Sequence, residues 1–245
     1  MIVAYDGTNY HGFARQENAL TIQEVLEKAI ASVIQQDVRV IGAGRTDTGV
    51  HAKGQCCTFD SDTHIPTGNL VKAINSKLPK DIVIKEVQIV PDDFQPRYAA
   101  KNKTYRYQIL NSVSSDPFLY KYAYFYPYEL DVTLMQEAAA YIVGEHDFKC
   151  FCSAGSSVVS TIRTVYDLQI TRQEDLITID ICGNGFLYNM VRIIAGTLLK
   201  VGAHKLPAAS IKEIIESRDR SLAGPTAPPE GLTMLKIVYE CNNTQ

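Results

Sequence analysis

Apolar residues in the first ninety positions follow two rhythms. Ile22, Val25, Leu26, Ala29, Ile30, Val33 and Ile34 recur at helical spacing, behind the capping box Thr21-Ile22-Gln23-Glu24. Leu70, Val71, Ile74 and Leu78 mark a second helix from about Thr67 to Lys77, which Pro79 ends. Short apolar and β-branched runs at Met1–Tyr5, Val38–Ala43, Gln55–Phe59 and Ile82–Val90 predict strands, with a turn at Asp6-Gly7-Thr8-Asn9 after the first. The order is β-α-β-β-α-β, the split βαβ or ferredoxin-like unit.

Pro91 to Ala100 reads as a linker, and a similar order of elements then repeats. Lys103–Leu110 predicts a strand, and Asp131 caps a helix carrying Leu134, Met135, Ala138, Ala139 and Ile142. Thr161–Thr171 and Leu176–Ile181 predict a hairpin turning at Arg172-Gln173-Glu174-Asp175. Helices at Tyr188–Val201 and Ala208–Ser217 and a last strand at Thr233–Tyr239 complete the pattern. The expected fold is α+β, with two ferredoxin-like halves, residues 1–95 and 101–245, whose sheets meet across a central cleft.

Composition narrows the class without naming a function. The 245 residues are 46% hydrophobic and 21% charged, a globular balance free of low-complexity sequence. A net charge of −3 forecasts no nucleic-acid partner, although a net value hides any local basic groove. With no basic leader ahead of an apolar run and no membrane-length apolar span, a soluble, cytoplasmic protein is expected. The cysteines Cys56, Cys57, Cys150, Cys152, Cys182 and Cys241 form no C-x-x-C pair, so reduced, packed thiols are expected rather than a zinc site.

Several features carry candidate chemistry. Tyr120, Tyr122, Tyr124, Tyr126 and Tyr128 alternate, so a strand would turn all five rings one way, as a base-stacking platform or, the simpler reading, as packing. Within the apolar helix Tyr188–Val201, Asn189, Arg192, Gly196 and Lys200 share a stripe that is either a solvent-facing edge or an arginine set into a cleft. Arg15, Arg45, Lys53, Arg97, Lys101, Lys103, Arg106 and Arg163 are candidates for a groove that positions a phosphate backbone.

The loop Gly42-Ala43-Gly44-Arg45-Thr46-Asp47-Thr48-Gly49-Val50-His51-Ala52 stands between two predicted strands. It lacks the third glycine and following helix of a dinucleotide fingerprint, and the Gly-Lys-Thr/Ser of a P-loop. An arginine close to Asp47 keeps a carboxylate ionised and ordered, as a nucleophile or base requires. An Asx-turn would use the same aspartate structurally. Local chemistry alone leaves both readings open.

The run Gly42–Ala52 closely resembles the catalytic motif of the TruA-type tRNA pseudouridine synthases, and further segments match in the family's order. They are Tyr5-Asp6-Gly7-Thr8-Asn9-Tyr10-His11-Gly12-Phe13 with Gln16, Lys103-Thr104-Tyr105-Arg106-Tyr107, and Gly144-Glu145-His146-Asp147-Phe148. Arg163-Thr164-Val165, Gly185-Phe186-Leu187-Tyr188-Asn189-Met190-Val191-Arg192 and Ala223-Gly224-Pro225-Thr226-Ala227-Pro228 follow. Two departures stand out: Phe13 where tryptophan is frequent, and Cys152 where some members carry arginine.

The resemblance implies a homodimer that binds tRNA and isomerises uridine to pseudouridine at positions 38, 39 and 40 of the anticodon stem-loop, with no metal or organic cofactor. It implies Asp47 as the essential aspartate, a nucleophile at C1′ or else the group that promotes elimination at the ribose. Tyr105 is implied to pack against the base and to serve the C5 proton, Arg45 to help extrude the uridine, and Arg192 to pair with the aspartate. Arg15, Lys53, Lys103, Arg106 and Arg163 remain the substrate-binding candidates. Two other classes compete: a non-catalytic ferredoxin-like RNA-binding protein, and a metal-dependent phosphohydrolase acting through Asp6 and Asp47. The second predicts loss of activity in chelator.

Overall fold

A computed structural model describes residues 1–155 and 158–239; Cys241 lies outside the described residues. Ten strands and five helices among these residues make a mixed α+β chain. The chain divides into two compact units, residues 1–101 with the stretch from Met234 onward, and residues 102–233. The last strand, Leu232–Tyr239, spans that boundary, and most of it falls in the first unit.

The first unit runs β1 (Ile2–Tyr5), α1 (Ile22–Ile34), β2 (Ile41–Gly42), β3 (His51–Thr58), α2 (Thr67–Asn75) and β4 (Ile82–Glu86). Strand β1 lies between β3 and β4, antiparallel to both, and β2 pairs with the far end of β3 through Ile41↔Thr58. Ile22, Leu26 and Ile30 of α1 and Ile74 of α2 are wholly buried, as their helical spacing requires. The Asn75 side chain donates to the Ile84 carbonyl and accepts from its amide, both at 2.8 Å, which fastens α2 to β4.

The capping box is half formed. Thr21 Oγ1 accepts from the Glu24 amide at 3.4 Å, but the Glu24 carboxylate takes Lys28 Nζ at 2.7 Å, one helical turn on. That ammonium holds the Glu24 carboxyl below its ordinary range. The strand expected from Val38 shrinks to Ile41–Gly42, because the Val40 amide donates to the buried Glu27 carboxylate instead of to a strand partner.

In the second unit β5 (Ala100–Leu110), β9 (Leu176–Gly183), β8 (Ile162–Gln173) and β7 (Gly144–Asp147) pair antiparallel in that order. Helices α3 (Val132–Ala140), α4 (Met190–Gly202) and α5 (Ser210–Ser217) complete it, and α3 packs against both α4 and β8. The tyrosine row is not one strand. Asp116 accepts the Phe118 amide on its carboxylate and the Leu119 and Tyr120 amides on its carbonyl, winding that stretch into turns. Only Tyr124–Phe125 forms a strand, β6, parallel to β5. Beyond it the rings of Tyr124, Tyr126 and Tyr128 touch in sequence, with centroids 6.1 and 5.6 Å apart.

Helix α4 is buried along nearly its whole length, and it crosses the segment 223–228 at a glycine. A Cβ at Gly196 would lie 1.9 Å from the Pro225 carbonyl oxygen. Alanine favours a helix over glycine by about 1 kcal/mol, but that overlap is with backbone and outweighs the gain. Gly196→Ala is expected to cost about 3 kcal/mol, read as a lower denaturant midpoint with an unchanged slope.

Candidate active site

The loop of the Gly-rich motif occupies residues 43–50, since β3 already begins at His51. It is tied down at almost every residue. The Ala43 amide donates to the Cys56 carbonyl at 2.8 Å, and Gln55 Nε2 donates to the Gly44 carbonyl at 2.8 Å. The Phe13 amide donates to the Thr46 carbonyl at 3.1 Å, and Thr46 Oγ1 shares a 2.8 Å hydrogen bond with the Tyr5 hydroxyl. Asp47 heads a turn closed by the Val50 amide on its carbonyl at 3.1 Å, and the Gly49 amide reaches the Tyr10 carbonyl at 3.3 Å. Arg45 is exposed and Asp47 half-buried.

The opening motif Tyr5–Phe13 thus forms the other wall of this loop. Gly12 takes φ 85°, and a Cβ there would meet the Thr46 carbonyl oxygen at 2.5 Å, so both conformation and space require glycine. His51, buried at the start of β3, accepts the Gly7 amide on Nδ1 at 3.0 Å. Asp6 Oδ1 approaches the same nitrogen at 3.2 Å. Asp6 Oδ1 also accepts from the Thr8 amide and hydroxyl. Buried Tyr10 donates to Asp81 at 2.7 Å, and burial with that neighbouring carboxylate pushes its phenol up.

Among the described residues no three His, Cys, Asp or Glu stand together as a metal-holding group. Cys56, Cys57 and Cys150 are buried, and burial raises the Cys150 thiol to about 12.

The second unit holds Tyr105 and Arg192. Tyr105 on β5 is 8% exposed and stands edge-on to Phe186, with centroids 5.1 Å apart. Its neighbour Tyr107 is buried and donates to the Pro228 carbonyl at 2.9 Å. Arg192 Nε donates to the adjoining Ala227 carbonyl at 2.7 Å, and Nη1 to Asn189 Oδ1 at 3.0 Å. Asn189, held at φ 61°, donates in turn to Ser153 Oγ at 2.9 Å. The stripe Asn189, Arg192, Gly196 and Lys200 is half-buried to buried, so it is not a solvent edge.

The basic candidates differ in what already occupies them. Arg106 faces Asp180 across the β5–β9 pair and binds it twice, at 2.8 and 2.7 Å, and that carboxylate raises its pKa further. Arg15 is bonded to Glu27 at 3.0 Å. Arg163 Nη1 donates to the Ser160 and Ile162 carbonyls, and Lys103 lies half-buried on β5. Exposed Lys53 lends its carbonyl to Lys85 Nζ at 2.7 Å. Sequence reasoning missed Gln55, Tyr5 and Thr46 as supports of the loop. For Gln55 the signal was a polar residue directly ahead of the Cys56-Cys57 pair.

The motif loop with its acid and arginine is thus held in a fixed course on an α+β chain. A family model described as tRNA pseudouridine synthase matches residues 1–99 and 138–240. The chain belongs to that family, whose members are isomerases acting on tRNA. It is 52% identical over 239 residues to a protein named tRNA pseudouridine synthase A from Thermoanaerobacter sp. (strain X514), covering 98% of each chain. Proteins of the same name from Caldicellulosiruptor bescii and Brevibacillus brevis are 50% and 46% identical, over 98% and 97% of this chain and 98% of each of theirs. Among solved structures, a chain of the crystal structure of a Cbf5-Nop10-Gar1 complex matches with TM-score 0.40 and 12% identity, over 96% of this chain and 48% of that one. So loose a likeness carries no weight. No helix of the described residues is long and apolar enough to cross a membrane.

Proposed function

We propose that this chain converts uridine to pseudouridine at positions 38, 39 and 40 of the tRNA anticodon stem-loop, with Asp47 as the nucleophile. The observation that carries the reading is the pinned Arg45-Thr46-Asp47 loop in a chain of this family. The Asp47 carboxylate bonds to C1′ as the N1–C1′ bond breaks, the freed uracil turns, C5 displaces the carboxylate from C1′, and the C5 proton leaves as N1 gains one. The target base must leave its stack to be reached, and Arg45, which is exposed, helps to extrude it. Tyr105 packs on the base, and Arg192 supplies the cation that keeps the aspartate ionised. The reading includes two ferredoxin-like halves, a homodimer, a cytoplasmic location and no metal or organic cofactor.

Release of tritium from C5-labelled uridine in unmodified tRNA, with and without chelator, tests the reaction. Release that chelator leaves unchanged supports it; no release, or release that chelator abolishes, overturns it. Among the proposed RNA contacts Arg15, Lys53, Lys103, Arg106 and Arg163, the local pairing sets an order. Lys53→Ala is expected to reduce the slope of log affinity against log salt by about one. Arg106→Ala is expected to leave that slope nearly unchanged, because its guanidinium is already bidentate to Asp180. That pair is about one third exposed on each side, so its loss costs at most about 1 kcal/mol of stability. Equal slopes for the two variants would count against this order.

A further inference from the structure

We propose that Gln55 is a positioning residue of the reaction, whose buried amide fixes the Gly44 carbonyl and with it the peptide that carries Arg45 towards Asp47. The inference rests on the pseudouridine synthase reading given above. Gln55 sits in β3 opposite Val3 of β1, and both are wholly buried. Along the strand Ala52, Gly54, Cys56 and Cys57 are buried, and Lys53 is exposed. Among the described residues Nε2 makes one hydrogen bond, to the Gly44 carbonyl at 2.8 Å, and the buried Oε1 has no partner.

An orphaned acceptor in such surroundings destabilises the folded chain, and a methionine of similar length would remove it. Turning the amide over does not help. It would set Oε1 against the Gly44 oxygen, acceptor to acceptor, and leave the NH2 group buried instead. The chain thus keeps a costly group whose single polar contact is with the loop that bears Arg45 and Asp47. Groups retained against stability in this way are characteristic of supports to a functional site.

The geometry says what the contact does. On the far side of Arg45, Thr46 is held at its carbonyl by Phe13 and at its hydroxyl by Tyr5. On the near side Gly44 has no Cβ to restrict it, and the Gln55 amide holds its carbonyl. Arg45 is therefore the residue between two pinned neighbours. Release of Gly44 frees the Gly44–Arg45 peptide to rotate, and Gly44 is exposed enough for its carbonyl to turn to water. The backbone just ahead of the catalytic acid then loses its fixed course.

Gln55→Met separates this role from packing. The variant is expected to melt at or above the temperature of the unsubstituted enzyme, yet to lose kcat by about 10- to 100-fold with KM for tRNA little changed. Backbone amides in residues 43–50 should exchange with solvent faster, with no change in α1 or α2. Unchanged kcat would overturn the inference, and so would kcat and melting temperature falling together, which would mark Gln55 as ordinary core. If the unsubstituted enzyme releases no tritium, the catalytic reading fails and this inference fails with it. An active enzyme with an equally active Gln55→Met defeats the inference alone.

Discussion

Asp47→Ala is expected to reduce tritium release from C5-labelled tRNA by on the order of 10⁴-fold or more, with tRNA affinity nearly retained. The expectation follows from where the residue stands. The backbone around Asp47 is already held by Val50, by Tyr10 through Gly49, and by Phe13 and Tyr5 through Thr46. None of these named bonds uses the carboxylate, so they survive its removal, and a loss of rate with unchanged amide exchange in the loop reports chemistry rather than a collapsed loop. Asp47→Asn sharpens the test, because the amide keeps size and polarity while losing nucleophilicity. A variant that retains even a tenth of the original rate would remove Asp47 from the reaction, whatever the family of the chain.

The second large effect is expected at Arg192. Its guanidinium is set in place, with Nε on the Ala227 carbonyl and Nη1 on Asn189, itself fixed by Ser153. A cation ordered in advance costs little reorganisation when charge shifts in the transition state. Arg192→Leu is expected to lower kcat by about 10²- to 10³-fold, or about 3–4 kcal/mol of barrier, while Kd for tRNA changes by less than about threefold. Arg192→Lys should recover little, since an ammonium cannot reproduce two donors in that fixed fork. Equal losses in kcat and Kd would identify Arg192 as a phosphate contact and detach it from Asp47.

Much of this site was legible before any coordinates, and the reasons differ from residue to residue. Helix α1 was readable because seven apolar positions at helical spacing admit one buried face. The loop was readable as a loop because glycines border its acid and arginine, yet its chemistry was not. An aspartate in a turn and an aspartate poised to attack look alike when only neighbours in sequence are known. Family resemblance, carried by ordered motifs along the chain, supplied what local chemistry could not.

The misreadings have equally local causes. Val38–Val40 has strand-forming composition, but buried Glu27 needs donors and takes the Val40 amide. The alternating tyrosines satisfy a strand's period of two, but Asp116 captures the amides that follow it and winds the stretch into turns before the last three rings align. Periodicity measures side-chain faces and is blind to such captures.

The sequence by itself determined the helices, most of the strands, the family, and the acid, arginines and tyrosine of the proposed site, because these depend on spacing and residue chemistry along the chain. Only the tertiary structure decided which groups hold them. Pairing of Arg106 with Asp180, the clamp of Ala227 and Asn189 on Arg192, and the hold of Gln55 on Gly44 join residues 74, 35 and 3, and 11 positions apart. Even the nearest of these depends on a conformation, the left-handed turn at Asn189, that composition does not reveal. Hydrogen bonds form between groups that folding brings together, and no one-dimensional pattern records that distance.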